Sequence, residues 1–159
     1  MPSPAWRAKT HGETYHAEFM RKLTPAQFES LAGASHERSK TLDDMFRGNR
    51  FLVLADDAFM YDAKAAEKNL RGAEPNGVTH LRALRALLAE VKAWEPAALE
   101  AAIKAYADAH AEGQLGKVAQ PLRVAVSGGT VSPPIFDTLS ILGRDSSLAR
   151  IDRAIKHFG

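Results

Sequence analysis

Arg123 is the side chain whose surroundings in the sequence most suggest recognition chemistry. It follows Pro121 on a short predicted helical turn, which the glycine pair Gly128–Gly129 stops. A second turn opens at Ser132-Pro133-Pro134, with Ile135 and Phe136 behind it. A guanidinium offers a rigid fork of donors, and a proline-stiffened loop with apolar neighbours offers a supporting face. That combination suits a splayed, unstacked base, whose edge takes hydrogen bonds and whose face needs support. Taken alone, an arginine here more commonly bonds the last carbonyls of a neighbouring helix. Ser-Pro-Pro is likewise an ordinary helix start.

Other chemistries find no foothold. Cysteine is absent, which removes disulfides, thiolate metal sites and cysteine nucleophiles together. The six histidines show no zinc spacing. Asp43–Asp44 and Asp56–Asp57 are adjacent pairs, whose side chains diverge on a helix. Gly113-Gln114-Leu115-Gly116-Lys117 lacks the Walker spacing and the following hydroxyl, and Ser127-Gly128-Gly129 lacks a nucleophile-elbow context. No catalytic residue, metal site or cofactor is expected.

The elements that must position Arg123 read almost entirely as helix. Thr24-Pro25 supplies a cap and a first-turn proline, with Gly33 as the expected end. Residues 36–47 carry Leu42, Met45 and Phe46 at helical spacing, with Arg38 and Lys40 facing elsewhere. Phe51-Leu52-Val53-Leu54 could pass for a strand, but no second strand pairs with it, so it reads as buried helix or connector. Asp62 caps a helix to about Leu70. Leu81, Leu84, Leu88 and Val91 form an apolar stripe opposite Arg82, Arg85 and Lys92. Pro96 opens the next helix, marked by Leu99, Ile103, Tyr106 and His110. Leu148, Ile151, Ile155 and Phe158 share one side of the last. The expected fold is all-α: two packed helical bundles in series, over 23–113 and 114–159, after an unassigned extension, 1–22.

The 159 residues carry 21 Lys and Arg against 19 Asp and Glu, a formal charge of +2. So small an excess does not demonstrate nucleic-acid binding. Arg144, Arg150, Arg153 and Lys156 nevertheless make the end of the chain locally basic, where phosphates could be met. A solvated helix face explains that cluster equally well. No apolar run approaches the ~20 residues a membrane helix needs, and the N-terminus lacks the apolar core of a secretory signal. A cytoplasmic location is expected.

Gln120-Pro121-Leu122-Arg123, Gly128, Ser132-Pro133, the Phe136–Leu139 helix, Leu142-Gly143-Arg144 and Leu148-Ala149-Arg150 occur in this order and spacing. Together they resemble the C-terminal, anticodon-binding region of bacterial glutamyl-tRNA synthetases. Arg38-Ser39-Lys40-Thr41-Leu42 resembles the basic helix opening that family's first anticodon-binding subdomain, and the likeness covers roughly residues 23–157.

The resemblance implies that Arg123 reads an anticodon base, that Ser132, Pro133 and Ile135 form the adjoining loop, and that Arg38 touches a base or phosphate. Lys40, Arg144 and Arg150 would contact phosphates. The implied partner is a glutamate-type tRNA, whether alone or together with the glutamine tRNA. Pro134 departs from the glycine common in the family and removes an N–H donor there. The nucleotide fold and both signature motifs of a complete synthetase are missing, so this chain alone is not expected to activate glutamate. It could be an excised portion, a separately encoded module, or one part of a split ligase working with a glutamyl-tRNA synthetase catalytic domain. A helical protein- or DNA-interaction module is the remaining alternative.

Overall fold

The computed structural model describes residues 22–35, 49–72 and 74–159. Among them the regular structure is helical throughout, without a strand: α1 (Pro25–Ser35), a 3-10 turn (Arg50–Leu52), α2 (Ala63–Leu70), α3 (Gly77–Ala89), α4 (Pro96–His110), α5 (Gly116–Ser127), α6 (Ile135–Leu142) and α7 (Arg144–Phe158). The all-α expectation is met. The predicted helix over 36–47, with Arg38 and Lys40, lies outside the described residues.

Local sequence explains most starts. Thr24 and Gln27 form a reciprocal capping box: the Gln27 amide N–H donates to Thr24 Oγ1 at 3.2 Å, and the Thr24 N–H to Gln27 Oε1 at 2.8 Å. Asp62 caps α2 by accepting from the Ala65 N–H at 2.9 Å, and Asn76 caps α3 by accepting from the Thr79 N–H at 3.0 Å. Two boundaries differ from expectation. Helix α1 continues through Gly33 to Ser35, because Leu31 packs into a buried cluster and holds the last turn in place. Helix α5 begins at Gly116 and passes through Pro121. Proline there forfeits one ladder bond, and burial of Val118, Leu122, Ala125 and Val126 on the same helix offsets the loss.

The main core joins both halves of the sequence. Leu70 of α2, Leu81, Leu84 and Leu88 of α3, and Leu99 and Ile103 of α4 meet Leu122 of α5, Leu139 of α6 and Ile151 of α7 in one buried cluster. Buried residues from both sides of the Gly113–Gly116 turn therefore share a core. A second cluster gathers Leu23, Leu31, Phe51, Leu52, Val53 and Ile141. The Phe51–Leu54 run is a largely buried 3-10 turn and connector, as its isolation suggested.

One crossing of the chain shapes the surface around Arg123. Gly128 ends α5 with φ of 85°, and its N–H returns to the Val124 carbonyl at 2.8 Å. The segment before α2 passes directly over it: the Asp62 N–H donates to the Gly128 carbonyl at 2.7 Å. A Cβ at Gly128 would strike the Met60 carbonyl. Only glycine satisfies both the left-handed turn and this approach.

Candidate nucleic-acid interface

The bend after α5 is held by a small polar lattice. Arg123 projects from the last half of α5, partly exposed, and its Nε donates to Ser132 Oγ at 2.9 Å. Ser132 is buried and passes its own proton to the Pro133 carbonyl at 2.7 Å. Thr138, in the first turns of α6, donates to the same carbonyl at 3.0 Å. At the other end, Ser127 Oγ donates to the Arg123 carbonyl at 2.6 Å and accepts from the Gly129 N–H at 3.3 Å. Arg123 and the Ser132-Pro133 step, conspicuous in the sequence, are thus brought together by the fold. Thr138 was not conspicuous; its spacing of six residues from Ser132 is the one local signal that could have found it.

The other expected site residues are placed differently. Ile135 is 3% exposed and belongs to the main core, so its side chain cannot face a ligand. Pro133 is also buried; its contribution to the bend is a carbonyl already holding two hydroxyls. Arg150 corrects the expectation of a phosphate contact. It is 1% exposed, with Nε on Asp56 Oδ1 at 2.9 Å. Its Nη atoms reach the carbonyls of Phe51 at 2.9 Å, Val126 at 2.8 Å and Leu54 at 2.9 Å. Burial lowers its pKa, while the Asp56 carboxylate opposes that shift. This side chain ties the connector before α2 to the end of α5.

Arg144 is likewise turned inward. It donates to the Val91 carbonyl and to that of Lys92 at 3.3 Å, and its guanidinium lies 5.5 Å from the Trp94 ring centroid. Carbonyls past the end of α3 take its charge, which is the ordinary helix-terminal use of an arginine. Trp94 itself donates to the Leu139 carbonyl at 2.6 Å, so its ring packs at a helix junction. Arg153 sits 4.7 Å from the ring centroids of both Phe59 and Tyr61, steadying the segment that crosses Gly128. Arg38 and Lys40 lie outside the described residues.

A separate cleft of about 480 Å³ is lined by Lys68, Arg71, His80, His110, Lys117 and Glu112, among others. His80 is buried there, its Nδ1 2.9 Å from the Tyr106 hydroxyl. Burial lowers its pKa first, then the neighbouring His110 and Lys117, while Glu74 pulls the other way. Among the described residues no group of His, Asp and Glu is placed to hold a metal ion, and no helix is long and apolar enough to cross a membrane.

The described elements form an all-helical frame, and comparison with known proteins names its family. The chain belongs to the anticodon-binding domain family, which it matches over residues 12–155. Among curated proteins it is 43% identical over 138 residues to glutamate–tRNA ligase 1 of Alkalilimnicola ehrlichii, covering 85% of this chain and 28% of that protein. It is 46% identical over 128 residues to glutamate–tRNA ligase 1 of Acidithiobacillus ferrooxidans, covering 80% and 26%. It is 44% identical over 137 residues to the glutamate–tRNA ligase of a Bradyrhizobium species, covering 86% and 27%. The chain thus spans little more than a quarter of the length of these relatives.

The same fold occurs in the crystal structure of a glutamate tRNA ligase from Elizabethkingia meningosepticum, with a TM-score of 0.77 at 19% identity over 95% of this chain and 29% of that one. The glutamate–tRNA synthetase of Elizabethkingia anophelis gives 0.73 at 19% identity, over 93% and 28%.

Proposed function

We propose that this chain is a tRNA-binding module that recognises the anticodon arm of a glutamate tRNA. In this reading the Arg123 guanidinium bonds the edge of an unstacked anticodon base, and the backbone of Ser132–Ile135 lines the adjoining loop. The observation that carries it is the Arg123–Ser132 bond at 2.9 Å, within a chain of the anticodon-binding domain family. Anchoring Nε fixes the plane of the guanidinium, and a fixed plane is what bidentate base recognition requires. The relatives' names supply the amino-acid identity of the tRNA.

With Arg144 and Arg150 engaged by carbonyls, phosphate attraction falls to exposed cations such as Lys64, Lys68, Lys117 and Lys156. Arg38 and Lys40 keep the roles the resemblance gives them. Catalysis is assigned to a partner, because the matches are confined to about a quarter of each ligase and the sequence offers no candidate nucleophile or acid–base pair.

The test is a titration of tRNA transcripts that differ only in the anticodon, with the wild-type chain and with Arg123→Ala. The wild type should prefer the glutamate anticodon. The variant should lose about 5- to 150-fold of that preference, the range for one good bidentate base contact, while salt-sensitive binding survives. An undiminished preference in the variant contradicts the assignment.

A further inference from the structure

We infer that the cleft between two helix junctions, α2 to α3 and α4 to α5, is a binding site for a phosphate group. Lys68, Arg71 and Lys117 line it with His80, which forms a buried part of its wall. The cleft reaches the start of α5, whereas the bend held by Arg123 lies near the end of that helix. Phosphate binding here is therefore independent of the reading of that bend.

Local backbone chemistry makes the cleft. Gly77 lets the first turn of α3 abut the last turn of α2, since a Cβ there would strike the Asn69 carbonyl. Between α4 and α5, Glu112 and Gly113 take left-handed backbones, with φ of 56° and 74°. The Gly113 N–H returns to the Ala107 carbonyl at 3.0 Å. Both junctions line one space of about 480 Å³, and ligand clefts span about 300–1,000 Å³.

Charge selects the occupant. Against Lys68, Arg71 and Lys117, Glu112 is the one carboxylate among the described lining residues. That excess of positive charge is as large as the whole chain's. Glu112 is exposed and stands 3.8 Å from Lys117, a loose surface pair that an incoming anion can displace. Glu74, outside the lining, is engaged by the Thr79 hydroxyl and by the Asn76 N–H at 3.3 Å. The apolar lining is proline, alanine and glycine, which gives an aliphatic or aromatic ligand little to rest on. A compact oxyanion, with several acceptor oxygens, matches ammonium and guanidinium donors.

His80 makes such binding sensitive to pH. It is 4% exposed, with Nδ1 2.9 Å from the Tyr106 hydroxyl, and the His110 ring lies 4.7 Å from that of Tyr106. Burial first, then His110 and Lys117, hold the His80 pKa low, and Glu74 opposes them. An anion seated among these cations relieves the repulsion between them. It thereby favours protonated His80 and is held more tightly as pH falls.

The probe is sulfate, a tetrahedral dianion whose charge is constant through the histidine range. It is titrated at fixed ionic strength into the 159-residue chain, and the His80 ring signals are followed by NMR. Binding should saturate, shift those signals and be at least about 5-fold tighter at about pH 5.5 than at about pH 8, which bracket the ordinary histidine value. Lys68→Gln with Lys117→Gln should weaken it about 10-fold, the scale of two charge contacts in water. Lys92→Gln with Lys104→Gln, the same loss of charge outside the cleft lining, should leave it unchanged. Glu112→Gln should tighten it.

The Lys68/Lys117 variant also separates two sources of the phosphate. For a group in an RNA backbone, the variant's affinity for a tRNA transcript falls and its salt slope drops by about 1 per lost contact. For a free phosphate, tRNA binding is unchanged and inorganic phosphate competes with sulfate in the wild type. Either result keeps the site. Sulfate binding that does not saturate, leaves the His80 signals in place, is equal at both pH values, or weakens as much in the Lys92/Lys104 variant overturns it. None of these results bears on the anticodon preference carried by Arg123, which its own titration decides.

Discussion

Ser132 has a single hydroxyl, and the fold uses it twice: as acceptor for Arg123 Nε and as donor to the Pro133 carbonyl. In the proposed reading its value lies in aiming Arg123 rather than in touching a ligand itself. Ser132→Ala should leave the fold in place and lower anticodon preference by about 3- to 10-fold, as expected when a base-reading group loses a bond worth about 1 kcal/mol; a preference equal to wild type in the same titration would deny the aiming role. Arg150 carries the opposite lesson. Its helix position looked like a basic surface, yet its partner Asp56 lies 94 residues earlier in the chain, and no local pattern announces such a pairing. Arg150→Met should cost about 3–5 kcal/mol in chemical denaturation, the range for breaking a buried charged network. A loss below about 1 kcal/mol, the scale of an exposed ion pair, would show that the network does not bear on stability.

Among elements, starts proved more legible than stops. The caps at Thr24 and Asp62 are bonds spanning three residues, so they are written in the local sequence; the Asn76 cap is equally local but stands in a stretch that reads as a break. Gly33 and Pro121 read as breaks because propensity is local, whereas what carries α1 and α5 through them is packing against distant helices. Gly128 was readable as a stop, but the overpassing Met60 carbonyl was not. Gly128→Ala should therefore destabilise by more than the ~1–2 kcal/mol of a left-handed alanine alone, measured by thermal or urea unfolding.

Between α3, α4 and the start of α5, burial holds the His80 pKa below its ordinary value of 6.5, aided by His110 and Lys117 and opposed by Glu74. A histidine kept neutral in the fold, and free to protonate when unfolded, makes stability fall as pH drops through the unfolded value towards the folded one. Stability measured from about pH 7.5 down to about 5.5, which brackets the ordinary histidine value, should decline, and His80→Asn should flatten that slope. An equally steep slope in the variant would assign the decline to other groups.

At the scale of the whole molecule, α3 and α4 share buried contacts with α5, α6 and α7, so the described helices should unfold in one cooperative transition. A chain cut at Gly113 should lose that transition, since Leu81, Leu84 and Leu88 would be stripped of their cover. Apolar periodicity established the helical class because it survives any packing arrangement. It could not reveal which cations face outward, since that depends on which helix faces meet.

That the bend at Arg123 and Ser132 takes the anticodon loop of a glutamate tRNA is the central claim, and chemical probing of a full glutamate tRNA in complex with this chain examines it most directly. Nucleotides of the anticodon loop should be protected by the wild type and re-exposed by Arg123→Ala, with the acceptor stem reactive throughout. Protection confined to the acceptor stem, or a loop as reactive as in free tRNA at saturating protein, would contradict it.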